Sequence, residues 1–297
     1  MTDAPQTTLQ ELLSDARQRV NDDLGRWVVE PGTPDSLGDA LRYCVLDVGK
    51  RIRPAMVYFA AQAAGGSPDD ELTRRAAVAV ELVHNYSLVH DDLPAMDDDA
   101  LRHGKPTVHV RYGQAMAILV GDALLTRAFG VLTETGSPRG GLLAAELAAS
   151  AGGTGMIAGQ VADMNLCQLP DGADGLWYIH QRKTAALLQA AVGLGVLSAG
   201  GDEPTRLAVR EFARCLGLAY QVTDDLLDVT GNVADLGKTP GKDAIAGKTT
   251  SVEQLGVGGA RRRVEQLTRQ ASDALKPLGK ASQDLARLAD LLIGRTY

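Results

Sequence analysis

Cysteine is scarce and badly placed for cross-linking. The chain has 3, Cys44, Cys167 and Cys215, far apart and odd in number. That excludes a disulfide framework and any CxxC metal knuckle, and it points to a reducing cytosol with three inert core thiols. Aromatic residues are only 4% of the chain. No stretch alternates polar with apolar as a half-buried strand does, so a β architecture is excluded. A dominant basic stripe is also missing, and the net charge is −7, which argues against a nucleic-acid partner. Long hydrophobic runs are absent. The longest, Ala185 to Gly200, is too short and too Gly-rich for a membrane span. The first residues, MTDAPQTTLQ, carry acid where a signal peptide needs base and lack an apolar centre. A cytoplasmic protein without stable membrane insertion is expected.

What is present is helix. The 297 residues are 45% hydrophobic, enough to bury a large core. Residues 7–24 are amphipathic, with Leu9, Leu12, Leu13, Ala16 and Val20 on one stripe. Residues 72–92 are apolar nearly all round, the mark of a buried helix. Further helices are predicted over 114–132, 141–164, 175–197, 206–228, 252–278 and 283–293. Gly/Pro-rich breaks at 64–70, 134–140, 167–172 and 199–204 are short. One all-α domain over 1–297 is predicted, a single bundle of roughly ten or more helices.

The charges are unevenly spread. HDDLPAMDDDALRHGKPT, from His90 to Thr107, packs five aspartates into nine residues and then turns basic. Pro94 makes a regular helix past Leu93 difficult. Asp91 and Asp97 are six residues apart, about 240° on an ideal helix. They face apart unless the backbone bulges between them, so the apolar insert reads as a device for re-aiming carboxylates. A second patch, YQVTDDLLDVTG, sets Asp224 and Asp228 one turn apart on one face, where like charges repel. Two acidic patches at the ends of apolar helices call for a cation, and Mg²⁺ binds through a few carboxylates plus substrate phosphates. An EF-hand is excluded by spacing. Four short basic clusters, GKRIRP, ALRHGKPT, HQRKT and DLGKTPGKDAIAGKTT, complement the acid and suit phosphate. The GKTP and GKTT tetrapeptides lack the rest of a P-loop.

The set GKRIRP, LVHDDLPAMDD, GQVADM and YQVTDDLLD resembles the trans-isoprenyl diphosphate synthases, most nearly the bacterial short-chain farnesyl diphosphate synthases. The likeness runs from about Leu41 to the C-terminus. It implies an all-α isoprenoid synthase fold around a deep central cavity, a homodimer, and condensation of isopentenyl diphosphate onto an allylic diphosphate. It also implies Mg²⁺, three ions once substrate is bound, held by Asp91, Asp92, Asp97, Asp224 and Asp228. Arg102, Lys183, Lys238 and Lys248 would clamp the allylic diphosphate, with Thr184 and Gln221 in support. Lys50, Arg53 and His84 would hold isopentenyl diphosphate. Gln160 and Asp163 of GQVADM read as satisfying each other or a neighbouring Lys inside the bundle, behind the substrate-binding residues.

Two departures follow. His103 stands where the family has a second arginine for isopentenyl diphosphate, and Val48 stands where glycine is usual. Tyr86 and Ser87 lie five and four residues before Asp91, about 6 to 7.5 Å back along the helix. In the resembling family, bulk there floors the product pocket, so the large Tyr86 implies a farnesyl product; geranylgeranyl is the alternative. A terpene cyclase would carry an Asn/Ser/Glu triad in place of the second Asp motif. An HD-type phosphohydrolase built on His90-Asp91 would need more histidines than His84, His103, His109 and His180 provide.

Overall fold

Thr8 and Glu11 begin the first helix by exchanging bonds. The Thr8 hydroxyl accepts the Glu11 N–H at 3.3 Å, and the Glu11 carboxylate accepts the Thr8 N–H at 2.7 Å. This capping box satisfies orphan donors at the start of α1, Leu9–Trp27. The computed structural model describes residues 8–46, 49–169, 173–230 and 250–294. They cluster into two compact units, Met1–Leu147 with Leu194–Gly201, and Ala148–Gly193 with Asp202–Tyr297.

In the first unit, α1 buries Ala16 and Val20, the lower part of the predicted stripe, and Leu24 beyond it. Helices α2, Asp35–Val45, and α3, Ile52–Ala63, are additional to those predicted. Pro54 does not prevent α3, because it lies in the first turn, where a missing N–H removes no helical bond. The buried helix is α4, Glu71–Asp91, in which every residue from 76 to 83 is buried. After it comes a small element that residue patterns do not reveal. Strands β1, Leu101–Arg102, and β2, Lys105–Pro106, pair antiparallel. His103 and Gly104 form the connecting turn with φ of 51° and 76°, the positive values of the primed hairpin turns. The short α5, Val108–Tyr112, leads into α6, Gln114–Thr133.

Two stretches, Gln114–Thr133 and Gly140–Asp163, are long and apolar enough to cross a membrane by length and composition. The first buries Val120, Leu124, Ala128 and Val131. The second is not one helix. Gly152, Gly153 and Gly155 divide the predicted 141–164 helix into α7, Gly140–Ala151, and α8, Met156–Asp163.

The predicted 175–197 helix is interrupted differently, in the part that belongs to the second unit. α9, Ala173–Ile179, and α10, Ala186–Ala199, are joined by a π-helical turn over His180–Ala185. Two glycines admit that turn. A Cβ on Gly159 would collide with the Lys183 backbone, and one on Gly217 would lie 2.8 Å from the Ala185 Cα. The long α11, Glu203–Thr230, packs on α12, Ser251–Leu275; Phe212 and Leu216 on the first and Val264 and Leu267 on the second are buried. A 3₁₀ turn, Lys276–Ser282, and α13, Gln283–Ile293, follow.

Candidate active site

The apolar insert of the first acidic patch folds the chain back on itself. Asp97 N–H donates to the Asp91 carbonyl at 2.8 Å, Met96 N–H to Leu93 at 2.8 Å, and Asp98 N–H to Leu93 at 3.2 Å. This turn overcomes the helical offset and returns Asp97 beside Asp91. Asp98 takes a positive φ of 51° to complete it. Asp97 is exposed and Asp91 half-buried. Asp92 points elsewhere. It is 3% exposed, and Arg102 donates to it from Nε at 2.8 Å and lies 2.6 Å away through Nη2. Burial raises the Asp92 pKa above the usual carboxylate value, against the pull of Arg102. The structure thus gives Asp92, predicted as a metal ligand, to the guanidinium predicted as a diphosphate clamp.

Beside this patch the first unit gathers positive charge. Arg51 is 2% exposed and takes φ 55° ahead of α3. It donates to Glu81 at 2.6 Å, to Asn21 at 3.0 Å and to the Val45 carbonyl. Removing one partner of so buried a pair costs about 3–5 kcal/mol. Arg51 was not among the predicted site residues, although it sits within GKRIRP; only its left-handed backbone and burial distinguish it. The pair orders the turn between Lys50, which is exposed, and Arg53, which is half-buried. The His84 pKa is held well below 6.5, first by burial and then by Arg53, Arg102, Arg51 and His103. His103 is lowered by burial, then by Arg102 and Arg51. Residues from three segments therefore share one cationic neighbourhood. A cavity of about 50 Å³ opens there between Asn85, Leu88, Asp92, Arg102 and His103. A larger one, about 260 Å³, lies at Val28, Leu41, Asp122 and Arg127, away from every predicted site residue.

Tyr86 is buried, its ring edge-on to His90 at 5.9 Å, and its hydroxyl has no hydrogen-bond partner. Burial first, and Asp91 second, push its pKa up to about 12. Ser87 donates to the His84 carbonyl at 2.8 Å. His90 Nε2 lies 3.1 Å from the Ile118 carbonyl, and its ring fills the space above Gly121. That engagement leaves the histidine of an HD-type centre committed to helix packing.

The second unit carries the other patch. Asp224 and Asp228 are half-buried on one side of α11, while Asp225 is buried on another. Thr184 in the π-turn donates to Gln221 Oε1 at 3.1 Å, and Lys183 Nζ donates to Asp163 at 2.5 Å. Gln160, expected to satisfy a neighbour, has a buried amide nitrogen without a hydrogen-bond partner. His180 is buried against Trp177 at 5.8 Å; burial lowers its pKa, against Asp225 and Asp163. Lys238, Lys248 and Val48 lie outside the described residues.

Among the described residues, no three carboxylate, imidazole or thiol groups converge tightly enough to cage a metal ion. The donor set nonetheless fits Mg²⁺: carboxylates in pairs, Asp91 with Asp97 and Asp224 with Asp228, leave coordination positions for phosphate oxygens and water. The thiols depart from expectation at one place. Burial pushes Cys44 up to about 12 and Cys215 to about 11, but Cys167 is exposed rather than in the core.

A family model described as "Polyprenyl synthetase" matches residues 34–284. Geranylgeranyl pyrophosphate synthase 9, chloroplastic, of Arabidopsis thaliana is 46% identical over 253 residues, 82% of this chain and 69% of that protein. Among solved structures, an FPP/GFPP synthase of Zymomonas mobilis superposes with a TM-score of 0.84 at 32% identity, covering 96% of this chain and 98% of the other. A geranyltransferase of Legionella pneumophila gives 0.82 at 30%, covering 97% and 98%. The chain belongs to the polyprenyl synthetase family of trans-isoprenyl diphosphate synthases. It is a prenyltransferase with the all-α isoprenoid synthase fold.

Proposed function

We propose that the protein condenses isopentenyl diphosphate with dimethylallyl and geranyl diphosphate and stops at farnesyl diphosphate, releasing pyrophosphate. The reaction breaks the allylic C–O bond, forms a C–C bond from the isopentenyl double bond, and ends with loss of a proton to the released pyrophosphate. Mg²⁺, held through Asp91, Asp97, Asp224 and Asp228, supplies Lewis-acid stabilisation of the leaving diphosphate. Lys183, Arg102, Lys238 and Lys248 neutralise its remaining charge, and Thr184 and Gln221 orient it. Lys50, Arg53, His84 and His103 bind isopentenyl diphosphate. The cationic neighbourhood around His84 is the observation that carries this assignment, since a cluster of arginines around a neutral imidazole suits a polyanion.

The farnesyl limit is read from Tyr86, whose buried ring lies five residues behind Asp91 on α4. A geranylgeranyl product is the second reading, favoured by the name of the Arabidopsis relative. Radiolabelled isopentenyl diphosphate with each allylic primer and Mg²⁺, followed by sizing of dephosphorylated products, tests both. A fifteen-carbon alcohol is expected from the parent and longer ones from Tyr86→Ala. A twenty-carbon parent product supports the second reading, and no product at all refutes prenyl transfer. Tyr86→Phe should keep the fifteen-carbon limit, because the hydroxyl bonds to nothing.

We read the chain as one functional domain, because the family match at 34–284 runs through both compact units. We place it in the cytosol as a homodimer. Ile118 and Leu119 on α6 and Leu142 on α7 are 47%, 56% and 58% exposed, apolar side chains that a second copy would cover. Sedimentation at several concentrations measures that state.

A further inference from the structure

The second acidic patch contains an aspartate that prenyl transfer, as described, leaves idle. Asp225 follows Asp224 directly but lies about 100° round α11, and it is 4% exposed. Its Oδ2 accepts the Ser251 N–H at 2.8 Å, and its Oδ1 lies 3.4 Å from the Gln221 amide nitrogen. Gln221 in turn accepts from Thr184 at 3.1 Å. These contacts run from the first residue of α12, through α11, to the π-turn that carries Lys183 and Thr184.

The geometry at α12 explains the arrangement. The first amides of a helix have no partner within it. Thr250 caps one, accepting the Glu253 N–H at 3.2 Å. Ser251 is 0% exposed, so its N–H would be buried and unpaired without Asp225. A carboxylate at a helix N-terminus also meets the positive end of the dipole. Both of its oxygens are thus engaged inside the protein, unlike those of a carboxylate reserved for metal.

We propose that Asp225 is a positioning residue and not a Mg²⁺ ligand: it fastens the start of α12 to α11 and, through Gln221, holds the Thr184 side of the diphosphate clamp. The roles of Thr184 and Lys183 rest on the proposed prenyl transfer; the fastening of α12 does not.

Three variants test it by amide hydrogen exchange and by kinetics. Asp225→Ala should speed exchange in the first turn of α12 and raise KM for the allylic diphosphate, each about tenfold, for one lost buried bond. KM for isopentenyl diphosphate should stay within about twofold, since its residues are not in this chain of bonds. Asp225→Asn keeps an acceptor for Ser251 but no charge. Its exchange, its allylic KM and its Mg²⁺ half-saturation should stay within about threefold of the parent, as expected for a hydrogen-bond role. Ser251→Pro deletes the donor at the first helical position, where proline is well tolerated. Thr250, at φ −112° and ψ 160°, already has the backbone that precedes proline. Ser251→Pro should reproduce the allylic KM of Asp225→Ala, and it serves if the alanine variant fails to fold. A raised Mg²⁺ half-saturation in Asp225→Asn would overturn the proposal, as would unchanged exchange and KM in both other variants. A parent protein inactive in prenyl transfer would instead sink the functional reading, leaving exchange to decide the fastening.

Discussion

The two acidic patches solve the same problem with different tools. At the end of α4, a turn made by Leu93, Pro94 and Ala95 brings Asp97 back to Asp91, while Asp92 is buried under Arg102. At the end of α11 no turn is needed, because Asp224 and Asp228 already share a face, and the adjacent Asp225 is buried on a backbone amide. Each patch therefore separates outward carboxylates from one inward carboxylate. An aspartate-rich motif is not uniform: neighbours in sequence divide between open and buried positions according to their angle on the helix.

Breaking this division should produce effects of different kinds. The largest belongs to the outward set. Asp91→Ala and Asp224→Ala should each lower kcat at least about a hundredfold, the scale of losing one charge-stabilising element. Helix content by circular dichroism should be retained, and EDTA should abolish turnover in the parent. Near-normal turnover in Asp224→Ala would remove the second patch from the reaction. The inward set should act on stability first. Asp92→Ala leaves a largely buried Arg102 without its carboxylate, and urea unfolding should show a loss of about 2 kcal/mol, moderated because the guanidinium side chain is 30% exposed. An unchanged midpoint would mean that Arg102 finds Asp99, 3.6 Å away, equally good.

Gly217→Ala probes the support behind the second patch. Its Cβ would press on Ala185, an overpacking strain of about 1–3 kcal/mol. The expected readout is a raised KM for the allylic diphosphate with little change for isopentenyl diphosphate. Equal changes in both would place the strain elsewhere.

Smaller effects come from the histidines. His84 and His180 both have folded pKa values below 6.5. The unfolded chain therefore binds more protons than the native state once pH falls through about 6.5. Their contribution to stability is complete above that pH and declines below it. Urea midpoints that stay level from about pH 7.5 to 5.5 would contradict the burial of both rings. His103 gives the finest test. Its pKa is lowered as well, so KM for isopentenyl diphosphate should rise as pH climbs through a value below 6.5, then level off. His103→Arg should lower KM and flatten that trend. Identical KM profiles for parent and variant would exclude His103 as a ligand.

What could be read from residues alone was whatever depends on local pattern. The all-round apolar run of α4 announced a buried helix, and the apolar insert before Asp97 announced a backbone that had to turn. The break at Gly152 to Gly155 was visible but outweighed by the apolar residues on both sides. α3 was hidden by Pro54, which reads as a breaker unless the helix start is known. The hairpin around His103 is too short to alternate. The burial of Asp92 and Asp225 depends on Arg102 and Ser251, ten and twenty-six residues away, and no local period encodes such partners.

The π-turn between α9 and α10 has a consequence for how this protein tolerates change. A π-turn holds one residue more than α-helical winding would use. It takes in that residue as a local bulge and keeps α9 and α10 nearly in phase around it. Deleting a single residue within 180–185 would restore regular winding with α9 and α10 nearly in phase, and would remove the bulge that carries Lys183 and Thr184. The pairing of Lys183 with Asp163, made from inside the bulge, is the contact such a deletion would displace. The length of these six residues, more than their identity, thus decides whether Lys183 and Thr184 are presented at all.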